Sequence, residues 1–336
     1  ASDVYKRQAW SYWETRFDCI DAPERIGLPE KKWQRGDSGK EKLLVCSEQG
    51  IGDEILYLSC LPDLLQDQTA IVVECDNRWK KLFERSFPSI RVVSRQIDYN
   101  EDDEIFYDYR EVVTKNNINS YLLSGDLPAL YRHSLCKPVS SEGYLKADPV
   151  RTQKFEYVLS KISSKTLIGI CWRSAFSEPV PFIYAKLDEL ISSLPEGDYC
   201  LVNLQYGDFT ADIVRIESEL GVKIHEVPDL NQLEDLDGVA ALISCLDLVI
   251  APSSSVLHLS CALGVPTIST YYPNFRSDAR TDPLFGNCLP VLKPDEIFYS
   301  SVVAERTGIA TQHFLKFGEL PSVSYTHLTL PTILLV

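Results

Sequence analysis

The sequence predicts an α/β protein made of two successive halves, each built around a parallel sheet. Short apolar runs alternate with helical segments from Leu43 onward, and strands that alternate with helices pair in parallel through right-handed crossovers. This alternation fades after Ser94 and resumes at Lys165, which indicates a second unit. The length agrees, because 336 residues suffice for two domains with full cores.

The first half is predicted over residues 41–150. Its elements alternate, beginning with a strand, over residues 42–46, 53–65, 70–75, 77–87 and 90–94. The strands are short apolar runs, and the helices carry apolar residues three and four positions apart. Residues 98–150 are acidic, rich in tyrosine and weakly periodic, so only one or two short strands and helices are expected there.

The second half is predicted over residues 165–310, after a bridging helix at 151–163. Strands are expected at 165–172, 199–205, 222–227, 246–251 and 266–270, with helices at 212–220, 233–245 and 254–264. The first of these helices is expected to end at Gly221. This order is that of a Rossmann-like unit, in which ligands bind at the carboxyl ends of the strands. Two such units in tandem commonly bind ligand in the cleft between them.

Composition and net charge limit the classes of partner and the cellular location that we expect for this protein. The formal net charge is -15 and no block of Lys and Arg stands out, which argues against nucleic acid as a partner. No apolar run approaches the roughly 20 residues of a transmembrane span. The ten cysteines form no C-x-x-C pair and the five histidines are scattered, so we expect reduced thiols in a cytoplasmic protein and no metal site.

We make separate predictions for the two ends of the chain. Residues 1–40 are predicted to hold the end of a preceding helix, at 9–17, and then a linker rich in Pro, Gly and charge. The sequence contains no methionine, so we expect a fragment of a longer protein. Residues 1–8 and 322–336 resemble translated sequencing adapter, and we expect both to be non-native.

The stretch "CSEQGIGDEI" joins the first strand to its helix. Gly50 and Gly52 would let a ligand approach the backbone closely, and the helix N-terminus attracts anions. Asp53 is then either an ordinary first-turn acid or a general base that faces the cleft and takes a proton from an acceptor hydroxyl. Glu54 is expected to be a helix-start acid. The stretch is not a dinucleotide fingerprint, because the third glycine of that motif is missing.

A second stretch, "LVIAPSSSVLHLSCALGVPT", has a strand followed by three serines that open a helix. One of Ser253, Ser254 and Ser255 is expected to cap this helix. Together they add hydroxyl and N–H donors at its positive end, which suits a diphosphate. The group is therefore either a plain cap or a ligand site. His258, one turn in, is either a structural histidine or a part of that site.

Two polar residues follow other strands of the second half. Arg173 comes directly after the strand in "IGICWRS", and Gln205 after the strand in "LVNLQYGD". A guanidinium at a strand end suits a phosphate, and an amide there can bond a base or a ribose. The alternatives are a surface salt bridge for the arginine and a polar loop residue for the glutamine.

Together these stretches resemble the family 9 glycosyltransferases, which include the ADP-heptose:lipopolysaccharide heptosyltransferases. In particular, the chain is similar to a module that follows tetratricopeptide repeats in many bacterial proteins. The resemblance runs in order over about residues 9–280, and its sharpest motifs are "EQGIGDEI" and "HLSCALGVPT". Further matches are "VVECDNRWKKLFERSFP", "SGDLPALYR", "IGICWRS", "LVNLQYGD" and "YYPNFRSD".

The resemblance implies a GT-B fold, in which two Rossmann-like domains face a cleft without a metal or another cofactor. It implies that Asp53 is the base on the acceptor side, that Ser253–Ser255 and His258 contact the donor's phosphates, and that Arg173 and Gln205 serve the donor side. The implied reaction is an inverting, metal-independent transfer of a hexosyl or heptosyl group. The donor would be a nucleotide diphosphate sugar, and the acceptor a hydroxyl of a glycan, a lipid-linked molecule or a protein.

One departure from the family pattern supports an alternative. Ala251 and Pro252 stand before the serines, where many relatives carry an acidic or amide residue. The alternative is a catalytically inactive GT-B-like module that binds a glycan, a nucleotide or a partner protein. A nicotinamide-dependent oxidoreductase also suits two Rossmann-like halves, but the missing third glycine argues against it.

Overall fold

The computed structural model describes residue 16 and residues 23–37, 41–68, 70–132, 141–174, 184–270, 286–292 and 299–321. Within these residues both halves are α/β units with parallel sheets, so the predicted fold class is confirmed. The two adapter-like ends lie outside the described residues, as does the predicted helix at 9–17 except for Arg16.

The first half is a parallel sheet flanked by helices. Its strands are β2 (Leu43–Cys46), β3 (Ile71–Cys75), β4 (Arg91–Ser94) and β7 (Ser120–Leu123), in the order β4-β3-β2-β7. Its helices are α1 (Ile51–Leu58), α2 (Leu61–Asp67), α3 (Lys80–Ser86), α4 (Arg110–Asn116) and α5 (Leu127–Tyr131). The single helix predicted at 53–65 is thus two helices. Pro62 lies in the first turn of the second, where the missing N–H of a proline is tolerated.

A smaller sheet lies beside the first. It contains β1 (Glu24–Ile26), β5 (Asp98–Tyr99) and β6 (Ile105–Asp108), in the order β1-β6-β5. The linker predicted before residue 41 is therefore wrong at residues 23–37, which supply β1 and the buried Trp33, 2% exposed. The Pro and Gly residues there separate a short strand from a buried aromatic anchor, so local composition concealed the burial.

The second half is a six-stranded parallel sheet with helices on both sides. Its strands are β8 (Thr166–Ile170), β9 (Tyr199–Asn203), β10 (Ile224–His225), β11 (Leu248–Ala251), β12 (Thr267–Ser269) and β13 (Cys288–Pro290), in the order β10-β9-β8-β11-β12-β13. Its helices are α6 (Pro149–Ile162), α7 (Leu187–Ser193), α8 (Thr210–Leu220), α9 (Leu236–Ile243), α10 (Ser255–Ala262) and α11 (Ser300–Phe317). Gly221 ends α8 in the left-handed conformation, as predicted.

The two halves meet along a buried apolar seam. Ile55 of α1 and Leu82 of α3 belong to the same hydrophobic cluster as Val239 of α9 and Leu259 of α10. At the edge of this contact, Arg85 of α3 pairs with Asp237 of α9. The seam brings the first turns of α1 and α10 together and so positions the candidate site. None of the helices within the described ranges is long and apolar enough to span a bilayer.

Candidate active site

The turn from β2 into α1 is tied down by buried side chains. The backbone N–H of Ser47 donates to Glu74 at 2.9 Å, and the same carboxylate accepts from the hydroxyl of Tyr109 at 2.9 Å. Arg95 donates to the backbone carbonyl of Gln49 at 3.1 Å and to the hydroxyl of Ser47 at 3.2 Å. The turn is therefore held in one geometry by residues far from it in sequence.

The two glycines of this turn have different surroundings. The residue with left-handed backbone is Gln49, with φ 60, whereas Gly50 is the N-cap of α1 with φ -91. A Cβ on exposed Gly50 would meet only the carboxylate of Asp53, at 3.8 Å. Gly50 thus leaves the backbone open to solvent. Gly52 instead packs against the other half of the molecule.

Glu54 lies in the first turn of α1, as the sequence predicted, but it is buried instead of facing solvent. Its side chain is fully buried and accepts hydrogen bonds from Ser47, from the Trp79 indole at 2.8 Å and from the Asp76 backbone at 3.1 Å. Arg95 lies 3.4 Å from it. Burial raises the pKa of Glu54 from 4.5 to about 7, although the arginine and the hydrogen bonds act to lower it. Glu54 joins the turn to β3 and β4.

Asp53 differs from its neighbour because it is only half-buried. It lies in the first turn of α1, beside the exposed Gly50. A glycine N-cap has no side chain to accept hydrogen bonds from the first-turn N–H groups. This end of α1 therefore presents backbone donors and one carboxylate to the same region.

The serines at the start of α10 do not provide the predicted cap. Ser254 occupies the N-cap position, but its hydroxyl donates to the carbonyl of Pro252 at 3.1 Å instead of accepting from the first turn. The conformation there directs Ser254 back toward its own strand connection, so the expected cap is absent. Ser253 and Ser255 are half-buried, as is His258. The first-turn N–H groups of α10 thus donate no hydrogen bond to the N-cap side chain.

Gly52 brings the two helix starts together. A Cβ built on it would lie 2.9 Å from Nδ1 of His258 and 3.5 Å from the backbone nitrogen of Ser255. A side chain at this position would collide with the imidazole, so only glycine allows so close an approach. The structure therefore brings Gly52 and Asp53 of one half next to the serine-led helix and His258 of the other.

Gln205 and Arg173 follow β9 and β8, as predicted, but only one of them reaches solvent. Gln205 is fully buried, and its amide oxygen accepts from the backbone N–H groups of Trp172 and Arg173, both at 2.9 Å. Its amide nitrogen donates to the carbonyls of Arg173 and Tyr206. The Cys171 thiol also donates to the amide oxygen, at 3.5 Å. Because these groups engage both ends of the amide, Gln205 joins the two strand-end loops and is not directed at a ligand.

Arg173 is half-buried and its guanidinium is engaged. It pairs with Asp212 of α8 and donates to the backbone carbonyl of Asp208. The indole of Trp172 donates to the same Asp212 carboxylate at 3.2 Å. The salt-bridge alternative therefore describes its observed contacts, and a phosphate at this arginine would have to compete with Asp212.

Several residues around the turn were missed by the sequence argument. Arg95 directly follows β4, so the signal that singled out Arg173 was also available for it. Glu74 and Glu48 gave no such signal, because a single glutamate in or after an apolar run looks the same whether it is solvated or buried. The arrangement as a whole offers backbone N–H donors at two helix starts, which favour an anion, and a carboxylate within the same region.

Comparisons with known proteins agree with this architecture. Residues 230–289, which contain the serine-led helix, match the model of glycosyltransferase family 9 (heptosyltransferase). A family 9 glycosyl transferase from Veillonella parvula has a similar structure, with TM-score 0.56 and 14% identity, covering 82% of this chain and 97% of that one. The E. coli ADP-heptose lps heptosyltransferase II gives TM-score 0.54 and 14% identity, over 82% of this chain and 98% of that one. These likenesses show a GT-B-like fold.

A relative with higher sequence identity is the protein FlbA of Caulobacter vibrioides. It is 30% identical over 269 residues, which are 77% of this chain and 44% of that protein. The chain thus spans less than half the length of this relative.

Proposed function

We propose that this chain transfers a sugar from a nucleotide diphosphate sugar to a hydroxyl acceptor, with inversion and without a metal. The observation that carries the proposal is the contact between Gly52 and His258, which joins the first turns of α1 and α10. One helix start carries Asp53 and the other carries the serines. An acid–base group and an anion-binding group therefore lie on either side of one contact. The family 9 match over residues 230–289 supports the same reading.

The donor would bind with its diphosphate at the start of α10. The first-turn N–H groups and the hydroxyls of Ser253 and Ser255 are donors at the positive end of this helix, and His258 is one turn further. Arg173 would add a cation after exchanging Asp212 for a phosphate oxygen. Gln205 would act indirectly, by holding the loop that presents Arg173.

The acceptor would bind on the side of Asp53. As its hydroxyl oxygen forms a bond to the anomeric carbon, Asp53 accepts the hydroxyl proton. The bond from that carbon to the diphosphate oxygen breaks, and the nucleoside diphosphate leaves with the bonding electron pair. The N–H groups of α10 stabilise the charge that develops on this leaving group. A single displacement of this kind inverts the configuration at the anomeric carbon.

The first experiment is thermal unfolding of the chain with ADP, GDP, UDP, CDP or dTDP. A ligand that binds the folded state raises the melting temperature, so the nucleotide with the largest shift identifies the donors to test. Turnover of the corresponding sugar nucleotides is then measured with glycan, lipid-linked and protein acceptors.

The role of Asp53 is tested with Asp53→Asn. The matched control is Asp188→Asn, another first-turn aspartate, on α7. We expect Asp53→Asn to lose transfer by about a hundredfold or more while it keeps the nucleotide-induced shift, and the control to keep both. Full turnover by a folded Asp53→Asn protein would rule out this role for Asp53.

A second function is favoured by a specific observation, the engagement of Arg173 by Asp212 and Asp208. Together with Ala251 and Pro252 before the serines, it supports a GT-B-like module that binds a partner without catalysis. The absence of a shift with every nucleotide, in a protein that unfolds cooperatively, would favour this module over the transferase.

A further inference from the structure

Arg16 is the one described residue that precedes position 23, and it is buried in the first half. Its guanidinium donates to the carboxylate of Glu48 through Nε at 3.0 Å and through Nη2 at 2.7 Å. Its Nη1 lies 2.8 Å from Asp126. The side chain of Arg16 is 4% exposed, against 3% for Glu48 and 9% for Asp126. This is a two-pronged, desolvated ion pair between residues 32 positions apart.

Arg16 compensates the negative charges of two buried carboxylates in the first half, Glu48 and Asp126. Glu48 also accepts the backbone N–H of Gly125 at 2.8 Å, and Asp126 is otherwise paired with Lys32 at 2.8 Å. Breaking a buried pair by removing one partner is far more costly than removing both, because an uncompensated charge remains inside the protein. Without Arg16, Glu48 would be such a charge.

Glu48 belongs to the turn that leads to Asp53. It is followed by Gln49, whose φ is 60, and by Gly50, the N-cap of α1. The turn is held on another side by Arg95, which bonds the Gln49 carbonyl, and Arg25 donates to the Ser47 carbonyl at 3.4 Å. Arg16 supplies a contact to the middle residue, Glu48.

We propose that Arg16 is a positioning residue, which holds the β2–α1 turn through Glu48 and thereby sets the place of Asp53. The consequence for turnover rests on the proposed function, whereas the effect on the turn does not.

The test that needs no activity is hydrogen exchange of the full chain, read on peptides over residues 47–54 and over β8 and β9. We expect Arg16→Gln to speed exchange over 47–54 by about tenfold or more, with no change over β8 and β9. The control is Arg132→Gln, which removes another shielded arginine, 13% exposed and paired with Asp63 at 2.7 Å. This control should leave the rate of hydrogen exchange over residues 47–54 the same as in the unaltered chain.

Two further variants keep the test decisive. Arg16→Lys, a gentler change, should give an intermediate rate, because an ammonium lacks the fork that holds both oxygens of Glu48. Adding Glu48→Gln to Arg16→Gln should slow exchange over 47–54 again, because it removes the orphaned charge. Rates over 47–54 that are unchanged in Arg16→Gln and Arg16→Lys would overturn the proposal, as would equal acceleration over every peptide or faster exchange in the double variant.

If the chain proves to be a transferase, kinetics add a readout specific to positioning. Arg16→Gln should lower kcat while the KM for the sugar nucleotide stays within about twofold, because the donor residues lie on the other half. A rise in donor KM with unchanged kcat would contradict a role through Asp53. A chain without any transfer activity would leave the exchange result standing and remove only the proposed function.

Discussion

Nδ1 of His258 lies so close to Gly52 that a Cβ on the glycine would be only 2.9 Å away. This relationship joins a residue of the first half to one of the second, 206 positions later in the chain. It fixes the first turn of α1 beside the first turn of α10. The positive ends of two helices thereby meet at one place, with Asp53 next to them.

Gly52→Ala should destabilise the fold through this contact. Overpacking typically costs about 1–3 kcal/mol. Because the imidazole ring must shift, we expect about 2 kcal/mol here, more than the gain of about 1 kcal/mol for Ala over Gly within a helix. The measurement is a double-mutant cycle of urea unfolding with His258→Ala. In the His258→Ala background Gly52→Ala should become neutral or stabilising, since the imidazole is gone. The same penalty in both backgrounds would show that His258 is not the obstacle.

Stability should depend on pH through Glu54. Its pKa is about 7 in the folded chain against an ordinary value of 4.5, so between these values the folded state binds more protons than the unfolded state. The stability that this group contributes is full below about pH 4.5 and is lost as the pH rises through about 7. Relative to Glu54→Gln, the unaltered chain should lose about 2–3 kcal/mol between pH 5 and pH 8.

The check for Glu54 is urea unfolding of both proteins across this pH range. The control is Glu111→Gln, which changes a carboxylate that is 75% exposed and paired with Lys115; it should run parallel to the unaltered chain. A constant difference between Glu54→Gln and the unaltered chain would mean that Glu54 stays ionised throughout.

Gly143→Ala should weaken the seam between the halves. Gly143 has φ +74, and its Cβ would collide with the carbonyl of Ala262 and the backbone nitrogen of Gly264, the latter at 2.5 Å. Backbone atoms cannot turn aside, so we expect a loss of about 3 kcal/mol or more in the free energy of unfolding. Gly318→Ala has nearly the same φ, +75, with open space around it, and should cost only about 1–2 kcal/mol. If both variants lost the same free energy of unfolding, the backbone around residue 143 would have shifted to relieve the collision.

Asp212→Asn should strengthen nucleotide binding if Arg173 serves the donor. The Arg173–Asp212 pair is 36% and 29% exposed, and releasing a pair of this kind costs up to about 1 kcal/mol. Removing the competing charge should therefore tighten binding of the preferred nucleoside diphosphate up to about fivefold by titration. Arg173→Gln should weaken it. If both variants bind as the unaltered chain does, the diphosphate does not reach this arginine.

The places of the candidate residues along the fold could be predicted from local pattern. Apolar runs and their turn residues placed Asp53 after β2, Arg173 after β8 and the serines after β11, because chain direction in a parallel sheet puts such residues at one edge. The end of α8 at Gly221 followed from the conformational freedom of glycine alone. These features depend on a few neighbouring residues, so they can be predicted without knowledge of the rest of the chain.

The burial and the contacts of the same residues could not be predicted in this way. Glu54 and Gln205 look like surface polar residues in the sequence, yet both are fully buried. Whether a polar side chain is buried depends on partners that are close only after folding, such as Arg95 for Glu54 and the Trp172 backbone for Gln205.

Sequence periodicity was therefore sufficient to predict the α/β class, the two halves and the strand ends that the candidate residues follow. The contact of Gly52 with His258, the engagement of Arg173 by Asp212 and the burial of Arg16 against Glu48 appear only in three dimensions. The physical reason is the distance along the sequence between the residues that interact. Strand and helix patterns arise from residues a few positions apart, whereas charge compensation and close packing join residues that the chain order keeps far apart.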